Sequence, residues 1–219
     1  MIKLADRYQN IITLLNIEYP NAGTELHYHN PFELLVAVIL SAQCTDKRVN
    51  TVTPALFQKF PDALSMAQAT ADDIFPYIKS ISYPNAKARN LHLMAKRLVE
   101  TFHSVVPENT KDLETLAGVG RKTANVIASV VFHQSKMPVD THVHRVSARI
   151  GLTHNAKNVL QTEDQLMHNL KDKYDIALLH HQLILHGRYV CKARKPLCEK
   201  CTLTRWCRFY SKNYRHQVL

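Results

Sequence analysis

Along the chain, apolar residues recur at intervals of three and four in short runs, interrupted by Pro, Gly, Asn and Asp. That rhythm predicts a succession of short amphipathic helices. Asn30-Pro31-Phe32-Glu33 supplies an N-cap, a proline at the first helical position and a capping-box glutamate. The helix it opens runs through Ser41-Ala42-Gln43 and is apolar on nearly all sides, so it belongs at the centre of a domain. Cys44, assigned to the same apolar helix, reads as a buried small hydrophobe. A second helix starts near Thr45, with Val49, Val52, Leu56 and Phe57 as its stripe. Thr70 and Asp73 open another that ends near Ser80. Tyr83-Pro84-Asn85 reads as a turn, because a residue before proline is pushed away from helix. From Ala86, the positions Leu91, Ala95, Leu98, Val99 and Phe102 recur at helical spacing. Pro107 ends that stretch, and Thr110 caps a short helix through Leu116. Gly118-Val119-Gly120 then leads into a helix over about 121–132, and Pro138-Val139-Asp140-Thr141 breaks into another. Only five glycines and no regular strand-turn spacing make the fold all-α.

Composition sharpens this picture through the placement of charge. The 46% hydrophobic and 21% charged content is that of a soluble globular protein with a real core. The longest apolar run, Leu34 to Leu40, is too short to span a bilayer, and Met1-Ile2-Lys3-Leu4-Ala5-Asp6 has no signal core. These features predict a cytoplasmic protein without membrane contact. Basic residues outnumber acidic ones 28 to 18, and from Gly187 onward there are nine Lys or Arg against one Glu. A basic stretch of this kind is the electrostatic footprint of a polyanion partner.

Four of five cysteines fall inside that stretch, as Cys191, Cys198, Cys201 and Cys207, spaced C-x6-C-x2-C-x5-C. Disulfides suit an oxidising compartment, which the N-terminus does not suggest. Zinc sites with four cysteines usually pair two short knuckles, whereas this chain has one C-x2-C between longer gaps. The uneven spacing suits a bulkier centre such as an iron–sulfur cluster, with zinc as the alternative.

Leu113-Glu114-Thr115-Leu116-Ala117-Gly118-Val119-Gly120-Arg121-Lys122-Thr123-Ala124 is a second constellation. Its glycines permit a tight turn and a close backbone approach. The helix that follows presents free N–H groups, a seat for phosphate. An ordinary helix–turn–helix corner is the plainer reading, and the adjacent Arg121-Lys122 and the basic tail favour phosphate. Lys122 lies in the first turn of that helix, where the dipole disfavours a protonated amine. With partial burial added, a fall of about 2 in pKa would raise the neutral fraction near pH 7.5 from roughly one in a thousand to about a tenth. Such an amine attacks a sugar carbon and forms a Schiff base. Asp140, in Val139-Asp140-Thr141-His142-Val143-His144-Arg145-Val146, is either the N-cap of its helix or an electrostatic and acid–base partner. Arg145 reads as a structural or phosphate partner.

Taken in order, the Leu-x-Gly-Val-Gly-Arg-Lys-Thr-Ala hairpin, the Val-Asp-Thr-His-x-x-Arg-Val segment and the cysteine loop resemble the endonuclease III family of helix-hairpin-helix DNA glycosylases. The resemblance runs from Leu34 through Cys207 and includes Leu40-Ser41-Ala42-Gln43 and Leu183-Ile184-Leu185-His186-Gly187-Arg188-Tyr189. It implies two helical domains with a DNA-binding cleft between them. Residues 24–134 would form a six-helix barrel carrying the hairpin at about 113–132. Residues 1–23 and 135–219 would form a cluster domain with its loop at 191–207. It implies a monomeric base excision repair enzyme, acting in the cytoplasm at the nucleoid, that removes oxidised pyrimidines and cuts 3′ to abasic sites. Lys122 matches the catalytic amine, Asp140 the catalytic carboxylate, and Cys191, Cys198, Cys201 and Cys207 the ligands of one [4Fe–4S] cluster. Gly118, Val119, Gly120 and Arg121 would meet double-stranded DNA at the hairpin, and Lys192, Arg194 and Lys195 at the cluster loop. Gln43 would fill the space left by the flipped nucleotide.

The chain departs from the family at two places. Ala117 stands where the family usually has Pro. Tyr83 in Ile81-Ser82-Tyr83-Pro84-Asn85 stands where it usually has a Leu wedge, and is either a stacking wedge or packed under its own loop. The rivals are an adenine- or thymine-mismatch glycosylase and a non-catalytic iron–sulfur DNA binder or redox sensor. Mismatch relatives typically lack the lysine, and the adenine type has a catalytic Glu at about the position of Ala37.

Overall fold

The computed structural model describes residues 2–171 and 173–214. Met1, Asp172 and the last five residues, which include Arg215 of the basic tail, lie outside them. Among the described residues there are twelve α-helices, one short 3-10 turn (Cys198–Lys200) and no strand. In chain order the helices are α1 (Leu4–Glu18), α2 (Pro31–Ser41), α3 (Asp46–Lys59), α4 (Ala63–Gln68), α5 (Ala71–Ile78), α6 (Pro84–Phe102), α7 (Thr110–Glu114) and α8 (Arg121–Val130). They continue with α9 (Thr141–Ile150), α10 (Val159–Leu170), α11 (Ile176–Tyr189) and α12 (Arg208–Asn213). No described helix is long and apolar enough to cross a membrane.

The chain divides into two compact units. One is continuous, Glu25–Gln134, and the other joins the residues up to Thr24 with those from Ser135 onward. In the continuous unit, α2 is the central element: every residue from Phe32 to Leu40 is buried. Around it pack α3, α6 and α8, while α6 also packs on α4 and α5. Leu34, Leu35, Leu56, Ile74, Leu91, Leu98 and Ile127 meet in its core. The discontinuous unit is organised around α9 and α11, with Val143, Val146, Leu179 and Leu183 packed against Tyr8, Ile11 and Leu15 of α1. Polar stitches tie α1 in place. Tyr8 Oη donates to the Leu152 carbonyl at 2.7 Å, and Gln182 Nε2 donates to Asn16 Oδ1 at 2.9 Å.

Most helix starts are set by local chemistry. Asn30 accepts the Glu33 N–H with Pro31 at the first turn, Thr45 accepts Arg48 N–H, and Thr70 with Asp73 forms a full capping box. Several details differ from expectation. The Glu33 carboxylate reaches His29 rather than Asn30, accepting its backbone N–H at 2.7 Å and meeting its ring Nδ1 at 2.9 Å. α2 stops at Ser41, so Gln43 and Cys44 lie in the following turn, and Cys44 is half-buried rather than enclosed in a helix. The cap of α7 is Asn109, whose side chain accepts Lys111 N–H at 2.8 Å, and Thr110 is the first helical residue. Pro84 opens α6 instead of sitting in a turn before it: with its ring at the first position it lacks only an N–H that the helix leaves unpaired anyway. α4 was not anticipated; it is short and rests on a capping box between Asp62 and Ser65.

Candidate functional site

In the continuous unit, α7 and α8 form the hairpin. Gly118 has φ +80°, and a Cβ there would lie 3.2 Å from Asn90 and Ile39 side-chain atoms. Glycine is therefore needed both for the turn and for the approach of α6 and α2. Val119 between the glycines is buried and anchors the loop, whereas a Cβ at Gly120 would meet nothing within 4 Å. Gly120 is the N-cap of α8 and offers no side chain to it. The first intrahelical bond runs from Ala124 N–H to the Gly120 carbonyl at 2.9 Å, leaving the N–H groups of residues 121–123 without a helical partner. This is the anion seat expected of an uncapped helix start. Lys122 stands in that first turn, exposed, with no ion pair or side-chain hydrogen bond among the described residues. The partial burial expected of it is not found.

Gln43 and Tyr83 belong to the same unit. Both are exposed and both have left-handed backbones, with φ of 54° and 56°. Tyr83 is 64% exposed, so it does not pack under its own loop. Lys87, which the sequence reading passed over, is buried close to both and is considered below.

In the discontinuous unit, Asp140 caps α9: its Oδ1 accepts the Val143 N–H at 2.8 Å. The cap uses one carboxylate oxygen of a half-exposed side chain, so the structural role leaves the charge in place. Burial holds His142 below its ordinary pKa against the opposing pull of Asp140, which keeps the ring neutral at pH 7. Its Nδ1 faces Arg145 Nη2 at 3.2 Å. Arg145 is structural, as expected: it donates to the Gly187 carbonyl at 2.8 Å and the Cys191 carbonyl at 3.3 Å, bracing α9 against the end of α11. A Cβ on Gly187 would lie 3.1 Å from His142, so this close helix crossing requires glycine.

The four loop cysteines line one cavity, together with Arg149, His186 and Tyr210 among others. Burial, reinforced by the neighbouring thiols, pushes Cys201 up to about 12, and Cys198 and Cys207 are raised from the same main cause. Thiols raised in this way, Cys198, Cys201 and Cys207, give up their protons most readily to a strongly cationic centre. N–H groups already point at the sulfurs: Tyr210 N–H reaches Cys207 Sγ at 3.4 Å and Arg149 Nη1 reaches Cys191 Sγ at 3.6 Å. Among the described residues no three His, Cys, Asp or Glu close on a point fit for one metal ion. The thiols ring a space instead.

Arg149 is the residue the sequence reading missed here. Its guanidinium donates to the carbonyls of Lys192 and Ala193, both at 2.7 Å, and lies over the Phe209 ring at 5.0 Å. It thereby holds the segment after Cys191 while Lys192, Arg194 and Lys195 remain exposed. The one available signal was its spacing, one helical turn after Arg145.

Residues 36–172 match the family model described as "HhH-GPD superfamily base excision DNA repair protein". Endonuclease III of Bacillus subtilis is 45% identical over 190 residues, covering 87% of this chain and 86% of that one. Endonuclease III of Escherichia coli K12 is 41% identical over 202 residues, covering 92% and 95%. Among solved structures, endonuclease III trapped as a covalent intermediate with DNA superposes with a TM-score of 0.89 at 38% identity, covering 97% of this chain and 99% of that one. A thermostable thymine-DNA glycosylase shares the fold, with a TM-score of 0.85 at 21% identity over 94% of this chain and 98% of that one.

Proposed function

The chain belongs to the HhH-GPD superfamily and, within it, to the endonuclease III family of base excision repair DNA glycosylases and abasic-site lyases, and from that premise we propose how its own residues carry the reaction. The substrate is duplex DNA containing an oxidised pyrimidine or an abasic site. The uncapped start of α8 and the 118–120 turn take the phosphates beside the lesion. The damaged nucleotide rotates out of the stack, which costs least where pairing is already weakened. Gln43 fills the vacated space and Tyr83 stacks against the opposite strand.

The Lys122 amine attacks C1′ and the C1′–N bond to the base breaks, the base leaving with a proton. Breaking the C1′–O4′ bond opens the ring and turns the resulting N,O-acetal into a Schiff base, with the ring oxygen taking up a proton. Asp140, whose charge survives its capping role, stabilises positive charge developing on the sugar and moves protons at the sugar oxygen. Loss of a C2′ proton then expels the 3′ phosphate, and water releases Lys122. Cys191, Cys198, Cys201 and Cys207 are the residues that would hold a [4Fe–4S] cluster. When bound it supplies iron–thiolate cross-links that fix the 191–207 loop and hence the placement of Lys192, Arg194 and Lys195 on the DNA backbone. The protein acts as a monomer in the cytoplasm, at the nucleoid.

The observation that carries this reading is the exposed lysine in the first turn of an uncapped, glycine-opened helix. Borohydride reduction in the presence of an abasic duplex tests it. Wild type should give a covalent protein–DNA product and Lys122→Ala none. A Lys122→Ala product in equal yield would assign the Schiff base to another amine.

A further inference from the structure

Two turns distant in sequence meet at one edge of the Glu25–Gln134 unit. The first, Ser41–Cys44, is closed by Cys44 N–H on the Ser41 carbonyl at 3.0 Å, with Ala42 at φ −56°, ψ 115° and Gln43 at φ 54°. This is type II geometry, whose third residue is ordinarily glycine or asparagine. The second ends at Tyr83, at φ 56° and ψ 49°, directly before Pro84. A left-handed backbone is unfavourable for a residue with a side chain, and a following proline restricts it further. Strain of this kind persists only where the surroundings over-determine it, and it collects at functional positions.

The surroundings here are specific. Ser82 Oγ donates to the Gln43 carbonyl at 2.8 Å, joining the two turns directly. Arg48 Nε donates to the Ser80 carbonyl at 3.2 Å. Lys87, one turn into α6, is 5% exposed, and its ammonium donates to the carbonyls of Leu40 and Ala42, each at 2.7 Å. It makes no ion pair with a carboxylate among the described residues. A buried lysine without a counter-ion is uncommon. Its compensation is the C-terminal end of α2, where unpaired carbonyls and the negative end of the dipole favour a cation. The ammonium spends its hydrogen bonds on these two backbone carbonyls and the residue is buried, so its work is structural.

We infer that Lys87 is a positioning residue that, with Ser82, locks the Gln43 and Tyr83 turns into one rigid two-pronged element for entering duplex DNA. The inference rests on the reading of Gln43 and Tyr83 given under Proposed function. Unstacking a base step is costly, and prongs free to relax to ordinary backbone conformations would yield before the stack does. Holding both turns against the same carbonyl array makes the two residues act together, one on each strand.

The test uses stopped-flow fluorescence of a duplex with 2-aminopurine beside the lesion, which reports unstacking, alongside thermal melting. Lys87→Met and Ser82→Ala are made in wild type and in the Gln43→Ala/Tyr83→Ala background. Lys87→Met should slow unstacking by about tenfold or more, the range expected for losing hydrogen bonds to a charged group. Ser82→Ala should slow it severalfold. Both effects should disappear in the Gln43→Ala/Tyr83→Ala background, and borohydride trapping on a single-stranded abasic oligonucleotide, where no base is displaced, should be unchanged. Losses that persist in that background, or that extend to the single strand, would mark a merely structural role and overturn the inference. Should Gln43→Ala/Tyr83→Ala itself unstack at the wild-type rate, the underlying reading fails and the inference falls with it. Slow unstacking by that double variant with wild-type rates for folded Lys87→Met and Ser82→Ala would overturn the inference alone. If Lys87→Met does not fold, Ser82→Ala, which removes a single hydroxyl, decides by the same criteria.

Discussion

The hairpin unit and the cysteine-loop unit solve the same problem, holding backbone at a surface for DNA, by opposite means. In the first, a helix buried on all sides anchors short turns, and the positions proposed to face DNA are set by glycine geometry and carbonyl contacts. In the second, the 3-10 turn at Cys198–Lys200 contributes no buried residue. The loop is held by Arg149, by Arg145 and by thiols around a cavity. Apolar packing makes an element such as α2 rigid through many weak contacts, so that no single one of them is decisive. Outside the anchor at buried Leu203, backbone such as this 3-10 turn must be fixed by few strong contacts, each of which matters separately.

That contrast can be broken at its chemical centre first. Beyond the loss of trapping in Lys122→Ala, turnover on a lesion duplex should fall by about 10³-fold or more, as for other covalent nucleophiles, measured under single-turnover conditions. Asp140→Asn keeps a capping side chain and removes the charge. It should lower the rate by about 10²–10⁴-fold while thermal stability stays nearly unchanged. If melting falls and rate does not, Asp140 is only a cap.

Next come the two kinds of scaffold. Leu35→Ala in α2, fully buried, should destabilise the protein by about 2–5 kcal/mol in denaturant titration. Removing the proposed metal centre with an oxidant and chelator should instead act locally. Hydrogen exchange of amides at 191–207 should speed up while those of α2 keep their protection; equal loss in both would show that the two units do not differ as argued. The smallest effect concerns charge. Replacing Lys192, Arg194 and Lys195 together by Ala should reduce the slope of log affinity against log salt by about 3, and an unchanged slope would remove this loop from the DNA interface.

Much of this was legible in the residues because it is local chemistry. Caps at Asn30, Thr45 and Thr70 work through bonds to residues three positions on. The 118–120 turn needs glycine for a backbone reason that travels with the sequence. Misreadings had two sources. Pre-proline sterics argued for a turn at Tyr83-Pro84-Asn85, yet Pro84 opens α6, and Ser82 and Lys87, from far along the chain, tie the left-handed Tyr83 segment to the end of α2. The capping box at Glu33 failed through a local competitor, because His29, four residues earlier, offers its carboxylate both a backbone N–H and a ring nitrogen.

Residue identity and spacing determined the helical class and the order of chemistry-bearing segments, and they single out the lysine, the carboxylate and the four thiols proposed to act. Those are matters of covalent order, periodicity and intrinsic reactivity. The fold alone decided that Lys87 would be buried on two carbonyls, that Arg149 would brace the cysteine loop, and that Gln43 and Tyr83 would stand side by side. A long cation has no fixed environment in a sequence. Its role depends on which unpaired carbonyls lie within reach, and those are supplied by helices that meet only when the chain has packed.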